Sequence, residues 1–164
     1  MSALFPLSLQ TWQGLMVSTD WVAPQMSRIK LTTPMLRTPV DELAVRLHEQ
    51  YPGDVGVFCV YMLNYHVLEP GEALYLGANE PHAYLAGECV ECMAASDNVV
   101  RAGLTPKFKD VETLTSMLTY VDGPPHIVTG EEIGPNVFRY VTPVKEFLVS
   151  HTPSGDVNLH TDVT

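Results

Sequence analysis

A mainly β domain of the sandwich or barrel kind, carrying one or two helices, is the fold class the sequence predicts. Short apolar runs follow one another closely between residues 55 and 96, each stopped by a turn residue. Thirteen prolines and eleven glycines are spread along the 164 residues, which favours many short elements over a helix bundle. The three-and-four spacing of an amphipathic helix appears in two stretches.

In chain order, residues 1–37 show no steady period, and Pro6, Pro24 and Pro34 interrupt every candidate element. Short strands are expected at 14–17 and 29–31. Residues 39–49 predict a helix: Thr38 caps it, Pro39 takes the first position, and Asp41 and Glu42 lie in the first turn. Val40, Leu43, Ala44 and Leu47 form its apolar stripe. The continuous apolar run 57–63 reads as a strand, followed by another at 65–68. Glu69-Pro70-Gly71-Glu72 has the residues a type II turn prefers. Further strands are expected at 73–76, 83–85 and 89–94. A second helix is expected from 111 to about 120, capped by Asp110, with Val111, Leu114, Met117 and Leu118 on its buried side. Strands at 138–141 and 147–149 complete the set. The expected organisation is an unassigned segment 1–37, one domain over 38–149, and a polar, frayed tail over 150–164.

The net charge of −10 excludes nucleic-acid and anionic-membrane partners, both of which need a basic face. Against that background, Arg101, Lys107 and Lys109 form a local basic cluster, three of only nine Lys and Arg. Cys59, Cys89 and Cys92 make no disulfide framework, so a reducing interior is expected. The Cys89-x-x-Cys92 spacing has no second pair to complete a zinc site, and both thiols read as buried small apolar residues. Residues 1–15 do not read as a signal peptide and no segment approaches a membrane span, so the expected location is the cytoplasm.

The segment from His82 to Lys107 gathers a His, two Glu, an Asp, an Arg and a Lys into 26 residues. If 83–85 and 89–94 pair through Gly87, His82 and Glu91 meet at one end of a hairpin. Imidazole is a common zinc ligand, and a nearby carboxylate transfers protons. Arg101 and Lys107 fall in a loop, where they suit a phosphate or a developing oxyanion. By spacing alone, a lone His is more often a core or surface residue than a ligand. Glu91 is equally a solvated strand residue, and Arg101 and Lys107 are solvated loop residues.

The string HAYLAGECVECMAASDNVVRAGLTPK, residues 82–107, resembles the C-terminal signature of type I mannose-6-phosphate isomerases. Flanking segments resemble the family too: Tyr51-Pro52-Gly53-Asp54-Val55-Gly56, Leu68-Glu69-Pro70-Gly71-Glu72-Ala73, Ala78-Asn79-Glu80-Pro81, and Phe108-Lys109-Asp110-Val111 leading into Met117-Leu118-Thr119-Tyr120. The resemblance is strong over 51–120 and fainter from 38 and out to 149. It implies a cupin-type jelly-roll, of which this chain carries a partial, second half. It also implies one zinc ion and interconversion of mannose 6-phosphate with fructose 6-phosphate in hexose phosphate and GDP-mannose metabolism. Carried over by position, it makes His82 a zinc ligand, Glu91 a proton-transfer carboxylate, Arg101 the active-site arginine and Lys107 a contact for the substrate phosphate.

The family's remaining ligands come from a Gln-x-His pair and a Tyr-x-x-x-Asn-His-Lys-Pro-Glu-like motif. Neither occurs in these 164 residues, whose first histidine is His48. Weak or absent zinc binding by this polypeptide alone is therefore expected, with little isomerisation. Exposed strand edges and self-association are also expected, as from a shortened form of the family's chain. The alternative reading is a non-catalytic cupin-like fragment that binds a sugar phosphate or a protein partner. A cupin metal oxygenase is disfavoured because the sequence has no His-x-His.

Overall fold

The computed structural model describes residues 22–31, 34–96, 99–153 and 156–160. The chain divides into two compact units, Met1–Tyr65 with Val99–Asp122, and His66–Asn98 with Gly123–Thr164. This division cuts across the boundaries expected at 37/38 and 149/150. Among the described residues, every α-helix lies in the first unit and every strand in the second.

The helical unit comprises α1 (Val22–Leu31), a 3-10 turn at Pro34–Leu36, α2 (Pro39–Gln50), a 3-10 helix over Val55–Tyr61, and α3 (Val111–Met117). α2 starts where its sequence says it must. Thr38 is extended, its hydroxyl accepts from Asp41 N at 3.2 Å, and the Asp41 carboxylate accepts from Thr38 N at 2.9 Å. That reciprocal box satisfies two backbone donors that a helix start would otherwise leave orphaned. The other Asp41 oxygen accepts from the Tyr61 hydroxyl at 2.7 Å, fastening the cap to the 3-10 helix. Val22 and Met26 of α1, Ala44 and Leu47 of α2, Val55, Val57 and Leu114 form the buried core.

Three expectations are corrected in this unit. Residues 22–31 are helical, not a strand over 29–31, and Pro24 sits in the first turn, where a missing N–H costs nothing. The run expected as a strand over 57–63 is instead the end of a 3-10 helix, started by Asp54, whose side chain accepts from Gly56 N. A short continuous apolar run does not distinguish the two by pattern alone. α3 stops at Met117, short of the expected Tyr120, because Leu118 turns extended and the Tyr120 hydroxyl bonds back to Thr115 O at 2.7 Å. The strand expected at 14–17 lies outside the described residues.

In the second unit, β1 (Glu72–Tyr75) pairs antiparallel with β2 (His126–Thr129), with Glu72 opposite Thr129. β3 (Glu131–Gly134), β4 (Val137–Tyr140), β5 (Leu148–Thr152) and β6 (Asp156–His160) form an antiparallel sheet in that order. The turn before β1 is the one its residues predict: Gly71 has φ 92° and Glu72 N bonds to Glu69 O at 2.9 Å. Tyr140 donates to Gly71 O at 2.8 Å, tying β4 to that turn.

The strands expected at 65–68, 83–85 and 89–94 are absent; these segments are largely exposed and irregular. Without a buried face, nothing fixes a register for so short a pair. The tail expected to fray from 152 instead contributes β6, paired along the whole of β5. β2 and β3 were not anticipated: β2 has only Ile127 and Val128 as apolar residues, and the single Ile133 of β3 lies between Glu132 and Gly134.

Candidate active site

Residues 101–109 follow an irregular path in the helical unit, held by one carboxylate. Asp54 Oδ1 accepts from Gly56 N at 2.7 Å, which starts the 3-10 helix. Its Oδ2 accepts from Thr105 N at 3.3 Å and from Lys109 Nζ at 3.1 Å. Lys109 also donates to Thr105 O at 3.2 Å, closing a ring of Asp54, Thr105 and Lys109. Burial alone would raise the Asp54 carboxyl, but hydrogen bonds from Gly56, Leu104, Lys109 and Thr105 outweigh it and hold it below the usual carboxylate value. Leu104 takes φ 54°, a left-handed conformation uncommon for a bulky residue. Backbone meets backbone here: a Cβ on Gly103 would lie 2.7 Å from Gly56 Cα.

The basic cluster seen in the sequence thus separates by role. Lys109 is spent on Asp54. Arg101 is half-buried and Lys107 exposed, and neither has an ion-pair partner among the described residues. The Lys107 backbone is itself fixed, its N–H donating to Thr105 Oγ1 at 3.2 Å. A cationic side chain on a pinned backbone suits an anion that arrives from solution.

In the β unit, His82, Tyr84 and Glu91 form a second group. His82 Nδ1 lies 3.0 Å from Glu80 O. A carbonyl only accepts, so Nδ1 is the donor, and in the neutral tautomer this leaves the lone pair on Nε2. That is the arrangement by which a second partner orients a metal-binding imidazole. The Tyr84 ring meets His82 edge-on at 5.8 Å and its hydroxyl donates to Glu91 Oε1 at 2.8 Å. Partial desolvation first, then this carboxylate, pushes the Tyr84 phenol up to about 12. Gly87, at φ 103°, makes the turn between the two sides. Tyr84 thus touches both His82 and Glu91, and no strand pair forms between 83–85 and 89–94.

His82 and Glu91 belong to one unit, Arg101 and Lys107 to the other. Sequence reasoning missed Asp54 and Tyr84 as organising residues. The Asp54-x-Gly56 spacing ahead of an apolar run was a capping signal that pointed to the first. Cys89 is exposed, correcting its assignment as a buried residue, and Cys92 is half-buried.

Residues 22–63, which include α1, α2 and the 3-10 helix, match the helical insertion domain of type I phosphomannose isomerase. The chain is 60% identical over 111 residues to mannose-6-phosphate isomerase 2 of Arabidopsis thaliana, covering 68% of this chain and 25% of that protein. With human mannose-6-phosphate isomerase it shares 52% over 115 residues, 68% of this chain and 27% of the other. The chain belongs to the type I phosphomannose isomerase family. It spans about a quarter to a third of the length of the curated relatives it matches.

Solved phosphomannose isomerases share its fold, which is of the cupin type with strands and helices mixed. A mannose 6-phosphate isomerase from Salmonella typhimurium, bound to substrate (f6p) and a metal atom (zn), superposes with a TM-score of 0.72 at 30% identity. That superposition covers 87% of this chain and 37% of the Salmonella protein. Zinc is the metal the family resemblance implies, and the residues present do not by themselves fit it. Among the described residues no three His, Cys, Asp or Glu come together as a metal-holding group. His82 supplies one nitrogen of the three or four protein ligands such a site takes.

Proposed function

We propose that this chain carries part of the site of a mannose-6-phosphate isomerase, an aldose–ketose isomerase acting on mannose 6-phosphate and fructose 6-phosphate in hexose phosphate and GDP-mannose metabolism. The observation that carries this reading is the high identity with named isomerases across two-thirds of the chain. In such a reaction a proton leaves C2 of the aldose and returns at C1 through an enediol. Glu91 is the carboxylate for that transfer, with Tyr84 holding Oε1 and so setting its orientation. Arg101 is the cation suited to stabilising the oxyanion of such an enediol. Lys107 takes the phosphate, and its fixed backbone limits the entropy lost in ordering a long side chain.

His82, whose Nδ1 bonds to Glu80 O and leaves Nε2 available in the neutral tautomer, is one ligand of a metal set whose other members are not found together among the described residues. The location in this reading is cytoplasmic, in keeping with three free thiols, and no helix among the described residues is long and apolar enough to cross a membrane. Self-association through uncovered strand edges belongs to the same reading.

The 164-residue chain is expected to retain well below one zinc per molecule after zinc loading and desalting. It is also expected to give no mannose 6-phosphate turnover above a protein-free control in a coupled assay. One zinc per chain with sustained turnover would contradict the incomplete site. The second reading, a sugar-phosphate binder without turnover, is favoured by one observation: among the described residues Arg101 and Lys107 stand without carboxylate partners and no metal-holding group forms. Binding of fructose 6-phosphate without conversion supports it.

A further inference from the structure

We propose that Asp54 is a positioning residue for sugar-phosphate binding, acting through Thr105 and Lys109 to fix the loop that carries Arg101 and Lys107. This rests on the isomerase reading, and on geometry that reading does not use. One side of the Asp54 carboxylate starts the 3-10 helix at Gly56; the other takes the Thr105 N–H and the Lys109 ammonium. Only 9% of the Asp54 side chain is exposed, against 27% for Lys109. A pair so placed is held more firmly than a surface ion pair, because water competes less for either group.

The loop leans on this carboxylate at several points. Thr105, whose N–H and carbonyl close the ring with Asp54 and Lys109, also offers its hydroxyl to Lys107 N. Position 107 is thus one hydrogen bond removed from a residue Asp54 holds directly. Leu104 keeps its left-handed φ of 54° between Gly103, pressed on Gly56, and Thr105, bonded to Asp54. Strain of that kind persists where surrounding contacts over-determine it. Asp54 itself has no need to touch the ligand. It sets where two cations stand, and a displacement of either weakens the hold on one sugar phosphate, which Lys107 takes at the phosphate and Arg101 at the reacting end.

Three variants separate this from a general loss of fold. Asp54→Asn keeps an acceptor for Gly56 but turns an amide N–H2 toward Thr105 N–H and the Lys109 ammonium, which are donors. Lys109→Met removes only the cation, and Lys109→Arg restores it. Fructose 6-phosphate affinity would be measured by titration calorimetry below the melting temperature, and backbone amide exchange over residues 101–107 and over α2 by mass spectrometry.

Asp54→Asn and Lys109→Met are expected to weaken binding about tenfold, a change of the size one lost positioning contact produces. Exchange over 101–107 rises while α2 stays protected, and Lys109→Arg returns affinity close to the parent. Unchanged affinity in both Asp54→Asn and Lys109→Met, or unchanged exchange over the loop, overturns the positioning role alone. If Asp54→Asn does not fold, the Lys109 pair decides. A parent chain that takes up no fructose 6-phosphate sinks the isomerase reading, and the positioning role with it.

Discussion

Gly103→Val is expected to destabilise the helical unit by on the order of 3 kcal/mol, the upper end of overpacking in a closely fitted site. A Cβ on Gly103 falls 2.7 Å from Gly56 Cα and 3.3 Å from both Gly56 N and Asp54 Oδ1. From the other side, a Cβ on Gly56 falls 2.8 Å from Leu104 N. These are mostly backbone atoms, which have no rotamer to turn aside, so the two chains must separate. Separation draws Asp54 away from Thr105 and so undoes the ring that organises residues 101–109. Urea unfolding followed by far-ultraviolet circular dichroism would show a lower midpoint with an unchanged slope. A midpoint equal to the parent's would mean that the two glycines are not in contact.

A comparable loss is expected from Leu47→Ala, about 2–5 kcal/mol as for other buried leucines. Leu47 is 1% exposed and is among the largest side chains fully enclosed in the core, with Met26 and Val22 of α1. Truncation removes the apolar surface that packs α2 into the core, and the surrounding helices fill the gap only partly. Amide exchange in α2 should rise toward that of exposed loops while β4 and β5 keep their protection, since they lie in the other unit. A loss smaller than about 0.5 kcal/mol, the range of surface substitutions, would place Leu47 outside the core.

The parts of this fold that could be read from sequence are those where local chemistry alone decides. Thr38 and Asp41 cap α2 as their types require, and Asp110 caps α3 by accepting from Thr113 N at 3.0 Å. Glu69-Pro70-Gly71-Glu72 turns because Pro and Gly are pre-set for it. Where long-range contacts decide, local pattern misled. The apolar run after Asp54 became a 3-10 helix because Asp54 starts it and Tyr61 reaches Asp41, 20 residues earlier. Residues 89–94 look like a strand but find no partner strand, and β6 was hidden because pairing with β5, not hydrophobicity, makes it.

The candidate site followed the same division. His82, Glu91, Arg101 and Lys107 were legible only through a long motif, since each alone is an ordinary surface residue. What the motif could not convey is how they are supported. Tyr84 bridges toward Glu91, and Asp54 reaches across about 50 residues to Thr105 and Lys109. The sequence grouped Lys109 with Arg101 and Lys107 as one basic cluster; the Asp54 pairing removes it from that group.

The central claim is that Lys107 and Arg101 both engage a bound sugar phosphate, Lys107 at its phosphate and Arg101 at the oxygens of its reacting carbons. Titration calorimetry of the 164-residue chain with fructose 6-phosphate, with fructose as the control sugar, tests it directly, repeated with Arg101→Ala and Lys107→Ala. The account predicts saturable binding of the phosphate ester, none of fructose, and at least about a tenfold loss in each variant, as for a charge-assisted hydrogen bond removed. Equal affinity in the parent and both variants, or no binding by the parent, would contradict it.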